Sequence, residues 1–110
     1  DGLIFNRKVN CNVSREIVIE EASVDLARRQ GWLSEKIMYV GKKGAPDRHF
    51  YKGGVLMIVE FKKRGKDLDG HQVRRARELA AAGFTVHVID NFEDFVALLA
   101  EYEAKIAARA

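Results

Sequence analysis

An acid and a lysine stand where an apolar strand would be expected to continue. The run Val55-Leu56-Met57-Ile58-Val59 shows no polar alternation, and Glu60-Phe61-Lys62 follows it. Residues 60 and 62 are two apart, so on a strand they point to the same side. A carboxylate at the end of a buried strand is costly unless it is paired or bound to a cation. A Glu60–Lys62 ion pair at the strand exit is one reading, worth little energetically. Asp47 opens another. Twelve residues (48–59) separate it from Glu60, and Gly53-Gly54 between them reads as a two-residue hairpin turn. Closing that hairpin brings Asp47 and Glu60 together beside Lys62. Converging carboxylates repel, which raises a pKa or recruits a cation. Oxygen-only ligands suit Mg²⁺ or Mn²⁺, which keep several waters and use one or two carboxylates. His49, His71 and His87 have no metal-ligand spacing and Cys11 has no local partner, so zinc is disfavoured.

Those residues need elements to hold them. Ser14 reads as an N-cap, with Ile17, Ala22, Leu26 and Ala27 as a rough helical stripe that Gly31 stops. Lys36–Val40 reads as a strand, and 41–46 as a Gly/Lys-rich turn. Arg48–Lys52 and Val55–Phe61 are the hairpin arms, the second apolar enough to be central in its sheet. A polar loop over 62–70 leads to Asp69-x-x-Gln72, a capping box opening a helix that Gly83 ends. Phe84–Asp90 alternates like a strand. Asn91 then caps a last helix with Phe92, Phe95, Val96, Leu99, Tyr102 and Ile106 on one face. The order α-β-β-β-α-β-α predicts an α/β domain with one mixed sheet and helices on its faces.

The chain has 110 residues, 47% hydrophobic and 32% charged, which predicts one soluble globular domain. No apolar run is long enough for a membrane span, and no apolar leader segment opens the chain. A lone cysteine and no export signal predict a reducing cytoplasm. Residues 1–13 carry no clear period and read as a strand or an N-terminal arm. The net charge of +3 is unevenly spread. Residues 42–77 hold eleven basic and four acidic side chains (+7), leaving −4 for the remainder. That basic segment is either a solvated surface or the footprint of a polyanion.

The sequence Gly44-Ala45-Pro46-Asp47-Arg48, the Gly-Gly hairpin, Val59-Glu60-Phe61-Lys62, Gly65, Leu68, Gln72 and Gly83 before a valine-rich strand together resemble a known family. Pro46-Asp47…Glu60-Phe61-Lys62 is similar to the PD-(D/E)xK nuclease motif on a restriction-endonuclease-like core. The fuller pattern resembles the VRR-NUC (virus-type replication-repair nuclease) branch, including its small stand-alone phage members, over about residues 14–95. The C-terminal helix is an addition to that α-β-β-β-α-β core. The resemblance implies that Asp47 and Glu60 coordinate a divalent metal, with the Phe61 backbone carbonyl as a further ligand. It implies that Lys62 positions or activates the attacking water and stabilises phosphate charge, and that Gln72 holds the lysine, water or phosphate. Taken as a cap alone, Gln72 serves only Asp69. The family also places a glutamate of the first helix at the metal, directly or through water. Glu20 is the preferred candidate and Glu16, one turn earlier on the same face, the alternative.

The implied function is metal-dependent, structure-selective hydrolysis of DNA phosphodiester bonds. Lys42, Lys43, Arg48, Lys63, Arg64, Lys66, Arg74, Arg75 and Arg77 would contact phosphates without reading sequence. Likeness to stand-alone phage members implies a homodimer acting on branched DNA such as four-way junctions, in the host cytoplasm if phage-encoded. Two rivals stay open: a flap or nicking module of a larger assembly, and a DNA-binding module of this fold without catalysis.

Overall fold

The computed structural model describes residues 15–38 and 47–110. Ser14, Lys42, Lys43, Pro46, Cys11, the N-terminal segment and the 41–46 turn lie outside the described residues. Among the described residues seven elements follow in the expected order: α1 (Arg15–Arg29), β1 (Leu33–Ile37), β2 (Asp47–Lys52), β3 (Val55–Phe61), α2 (Gly70–Ala81), β4 (Val86–Ile89) and α3 (Phe92–Arg109). The sheet order is β1-β2-β3-β4. The first two pairings are antiparallel and β3–β4 is parallel, so the sheet is mixed and β3 is internal.

The β2–β3 hairpin turns on Gly53 and Gly54, at φ +57° and +77°. Two consecutive left-handed residues match the right-handed twist of the flanking strands, and glycine adopts them without a steric penalty. Alternation along the register divides the sheet into two faces. Phe50, Met57, Val59, Phe61 and Ile89 form one face, and with α1 and α3 they enclose the core around Phe95, Leu99 and Tyr102. Asp47, His49, Ile58 and Glu60 belong to the other face, flanked by α2.

Local endings explain where sequence-based boundaries shift. α1 closes with Gly31 N–H on Arg28 O and Trp32 N–H on Ala27 O, both 3.0 Å. These two bonds are a Schellman ending, and they turn Trp32 straight into the core. The strand therefore starts at Leu33, three residues before the expected Lys36. β1 ends at Ile37 and Met38 is 73% exposed, while the expected continuation through Tyr39 and Val40 lies outside the described residues. α2 ends the same way: Gly83 N–H donates to Ala80 O and Phe84 N–H to Leu79 O. Phe84 is thereby held by the helix, and β4 begins at Val86 rather than at Phe84.

Two helical stripes are also rephased. α1 buries Ser23, Val24 and Ala27, whereas Ile17 is exposed. Small side chains at 23 and 27 bring the helix backbone close to the sheet, so the large apolar residues do not define its inner face. In α3, Leu98 joins Phe95, Leu99 and Tyr102 inside, and Val96 faces outward. Trp32 is a core aromatic. Its ring meets Tyr102 edge-on at 6.5 Å, and its Nε1 donates to Glu103 at 2.8 Å. Lys52 donates to the same carboxylate at 2.7 Å and to Gln30 O at 2.7 Å, which ties the hairpin to α1 and α3.

Candidate active site

Asp47 opens β2 and Glu60 stands next to last in β3. Arg48 pairs with Val59, so the next step of the register sets Asp47 across from Glu60. Their carboxyl groups are hydrogen bonded to each other, and they are 4% and 3% exposed. Burial foremost, then the hydrogen bond and charge of Asp47, push the Glu60 carboxyl up to about 9; Lys62 pulls the other way and Asp69 adds to the rise. The physical cause is that two carboxylates in low dielectric cannot both ionise unless positive charge joins them. A proton on Glu60, donated to Asp47, meets that need when no other cation is present.

Lys62 follows two residues on, so strand alternation sends it to the same side as Glu60. Its backbone N–H continues the parallel ladder to Ile89 O at 2.9 Å, which fixes the stem of its side chain. The sequence-level alternative of a plain Glu60–Lys62 ion pair is therefore only part of the geometry. Lys62 acts on Glu60 electrostatically, but the partner hydrogen bonded to Glu60 is Asp47.

α2 brings Gln72. Asp69 accepts from Gln72 N–H at 3.0 Å, and Gln72 Oε1 accepts from Asp69 N–H at 3.0 Å, completing the capping box. Gln72 is nonetheless 5% exposed, and its Nε2 makes no hydrogen bond among the described residues. One end of the amide caps the helix. The other is a buried donor left for something else, since such groups are seldom left unmade. The capping reading and the phosphate-holding reading thus use different atoms of one side chain.

Glu20 lies elsewhere. Arg48 follows Asp47 and leaves β2 on the opposite face, where its Nε and Nη2 donate to Glu20 Oε2 at 3.0 and 2.8 Å. Lys36, cross-strand from Arg48, stands 3.4 Å from the same oxygen. Glu20 thus neutralises a cationic pair on the helix side of the sheet. Glu16 is half-buried one turn earlier on α1. Among the described residues no group of three or more His, Cys, Asp or Glu side chains is placed to hold a metal. The hairpin offers two buried carboxylates, and the Phe61 carbonyl that the family resemblance names as a further ligand lies next in the chain after Glu60. All are oxygens, and this fits a hard divalent ion that retains most of its waters.

The basic residues divide. Lys63, Arg64 and Lys66 are exposed on the loop after β3, and Arg74 and Arg77 are exposed on α2. Arg75 is half-buried, 3.4 Å from Glu78. Arg48 and Lys52 serve ion pairs inside the fold. The basic segment read from the sequence therefore contributes fewer outward charges than its count suggests. Sequence reasoning missed Asp90, whose carboxylate holds the loop carrying the first three of these cations. Its only signal was an acid closing the valine-rich strand.

No family model matches the chain. The chain is 33% identical over 78 residues to "Putative nuclease p44" of Acyrthosiphon pisum secondary endosymbiont phage 1, covering 70% of this chain and 84% of that protein. A solved structure described as a VRR_NUC domain superposes with a TM-score of 0.74 at 27% identity, covering 82% of this chain and 99% of that one. Fold and hairpin together define a nuclease domain with the PD-(D/E)xK architecture. More narrowly, the chain belongs to the VRR-NUC family of nucleases. No helix among the described residues is long and apolar enough to cross a membrane.

Proposed function

We propose that this chain is a Mg²⁺- or Mn²⁺-dependent, structure-selective DNA endonuclease that acts as a homodimer on branched DNA such as four-way junctions. The observation that carries the proposal is the buried Asp47–Glu60 pair beside Lys62, a costly arrangement that a folding role alone does not call for. Asp47, Glu60 and the Phe61 carbonyl would hold the ion. When bound, it would supply Lewis acidity toward the phosphate and lower the pKa of a coordinated water. Lys62 would place a fixed positive charge where negative charge develops on the phosphate. Gln72 Nε2 would donate to a phosphate oxygen or orient the attacking water. Glu20, with Glu16 as the alternative, would act on the centre only through water or after leaving Arg48. Lys63, Arg64, Lys66, Arg74, Arg75 and Arg77, with Lys42 and Lys43, would grip the backbone of the DNA without reading bases.

Likeness to a phage protein supports a phage origin and a host-cell setting. Paired nicks across a symmetric junction need two centres, and the described residues carry one such carboxylate pair, which motivates the homodimer. Cleavage of flap, nicked, duplex and junction substrates with Mg²⁺, Mn²⁺ or chelator tests the reading. Junctions should be cut best, cleavage should stop in chelator, and Asp47→Ala and Glu60→Ala should each lower the rate by about a thousandfold or more. Full activity in either variant would sink the assignment. Preferential flap or nick cutting would favour the assembly-module alternative. Sedimentation as a monomer under cleaving conditions would remove the dimer.

A further inference from the structure

Between Glu60 and the second helix the chain makes a turn with its own clamp. Lys66 N–H donates to Lys63 O at 2.9 Å, and Gly65 sits at φ +79°, so Lys63-Arg64-Gly65-Lys66 is a β-turn with a left-handed residue at its third position. In such a turn the N–H of the third residue points away from the turn's own hydrogen bond. Here it reaches the Asp90 carboxylate, 2.9 Å away, just beyond the end of β4. The other oxygen of Asp90 accepts from Asn91 Nδ2 at 2.8 Å, and Asn91 caps α3. Three residues before Gly65, Lys62 N–H donates to Ile89 O. The end of β4 therefore grips this loop at two points, one at Lys62 and one at the crest of the basic turn. The bonds to Gly65 and Asn91, with Arg64 nearby, also hold the Asp90 carboxyl below its ordinary range.

An acid placed within a cluster of phosphate-binding cations is a liability unless it does something else. We propose that Asp90 is a positioning residue for DNA binding: it sets the Lys63–Lys66 turn so that Lys63, Arg64 and Lys66 meet phosphates flanking the scissile one. This rests on the nuclease reading of the Asp47–Glu60 hairpin. Backbone N–H capture by a carboxylate is charge-assisted and directional, so it fixes a turn that its exposed side chains cannot fix.

The sign of the effect separates the idea from its rival. A bystander acid beside DNA repels phosphate, so its removal should leave affinity unchanged or raise it. A positioning acid does the opposite. For a junction substrate cut with Mg²⁺, Asp90→Ala should raise KM about three- to tenfold, with kcat changed less, because the grip on flanking phosphates is weakened rather than the reacting centre. The slope of log affinity against log salt should shrink by about 1 for each phosphate that is no longer neutralised. Asp90→Asn, which keeps an oxygen for Gly65 N–H, should recover much of the loss. Gly65→Ala gives a second route. A Cβ there meets nothing within 4 Å, so its effect is confined to the strained backbone of the turn. It should reproduce the Asp90→Ala phenotype, and the double variant should be no worse than either single one. Unchanged or tighter binding in Asp90→Ala, or losses that multiply in the double variant, overturns the proposal. A wild-type protein that cuts no DNA would instead defeat the nuclease reading, so the two failures are distinguishable.

Discussion

Gln72 caps α2 with one amide atom and leaves the other as a buried donor, and a single isosteric exchange separates the cap from the role proposed for that donor. Its Oε1 closes the capping box, while Nε2 is buried without a hydrogen bond among the described residues. Gln72→Ala removes both and should cost about 1 kcal/mol of stability as well as activity. Gln72→Glu keeps an oxygen for Asp69 N–H, since glutamate is itself a capping-box residue, but replaces the donor with negative charge. The Glu variant keeps the cap but buries a carboxylate, so it should melt below the wild type and cleave slower by roughly tenfold or more. If it cleaves normally, Gln72 is a cap and nothing else. Spacing alone made the cap legible, because a box is a local motif. The orphan nitrogen was not, since it depends on how α2 lies against the sheet.

The hairpin and its packing decide the next level up. Gly53 and Gly54 share a left-handed backbone but not a neighbourhood. A Cβ on Gly53 would come within 2.9 Å of Ile106 Cγ2 on α3, whereas one on Gly54 meets nothing within 4 Å. Gly54→Ala should therefore cost about 1 kcal/mol of backbone strain, and Gly53→Ala about 1–3 kcal/mol more from overpacking. Urea titrations of the two variants measure the difference, and equal losses would mean α3 yields freely. Periodicity and turn chemistry made the hairpin, the capped helices and the element order readable. What they misplaced followed from tertiary packing. β1 starts early because a Schellman ending delivers Trp32 to the core. α1 turns small residues inward because the sheet approaches closely. Glu20 reads from the sequence as the helix carboxylate of the metal site; its pairing with Arg48, next to Asp47, was not legible, because strand alternation sends Arg48 to the α1 side of the sheet. A one-dimensional pattern names a carboxylate but not the face of a sheet it will serve.

Across the whole molecule, the two faces carry different kinds of chemistry. The face covered by α1 and α3 holds the aromatic core, the Trp32–Glu103–Lys52 junction and the His87–Tyr102 contact, 2.7 Å from Nε2 to the hydroxyl. Burial, with Lys105 adding to it, holds the His87 pKa below 6.5, and Glu101 opposes them weakly. The unfolded chain takes up this proton near the ordinary value, the folded chain only at lower pH. The stability contributed by neutral His87 is therefore complete above the unfolded value and is lost as pH falls through the folded one. Melting temperature should fall as pH drops below the ordinary histidine value, and His87→Gln should flatten that component of the slope. An unaltered slope would mean that other groups carry it. The remaining feature of consequence is that Asp47, Glu60 and Lys62 all sit on one short hairpin and its exit. Their mutual placement depends on a single two-residue turn and its ladder, not on how three helices settle around it. Substitutions in α1, β1 or α3 can then change how long the protein survives with little effect on the spacing of these three side chains. A lineage could drift far in its helices, to the point where whole-chain likeness fades, and still inherit the same centre intact.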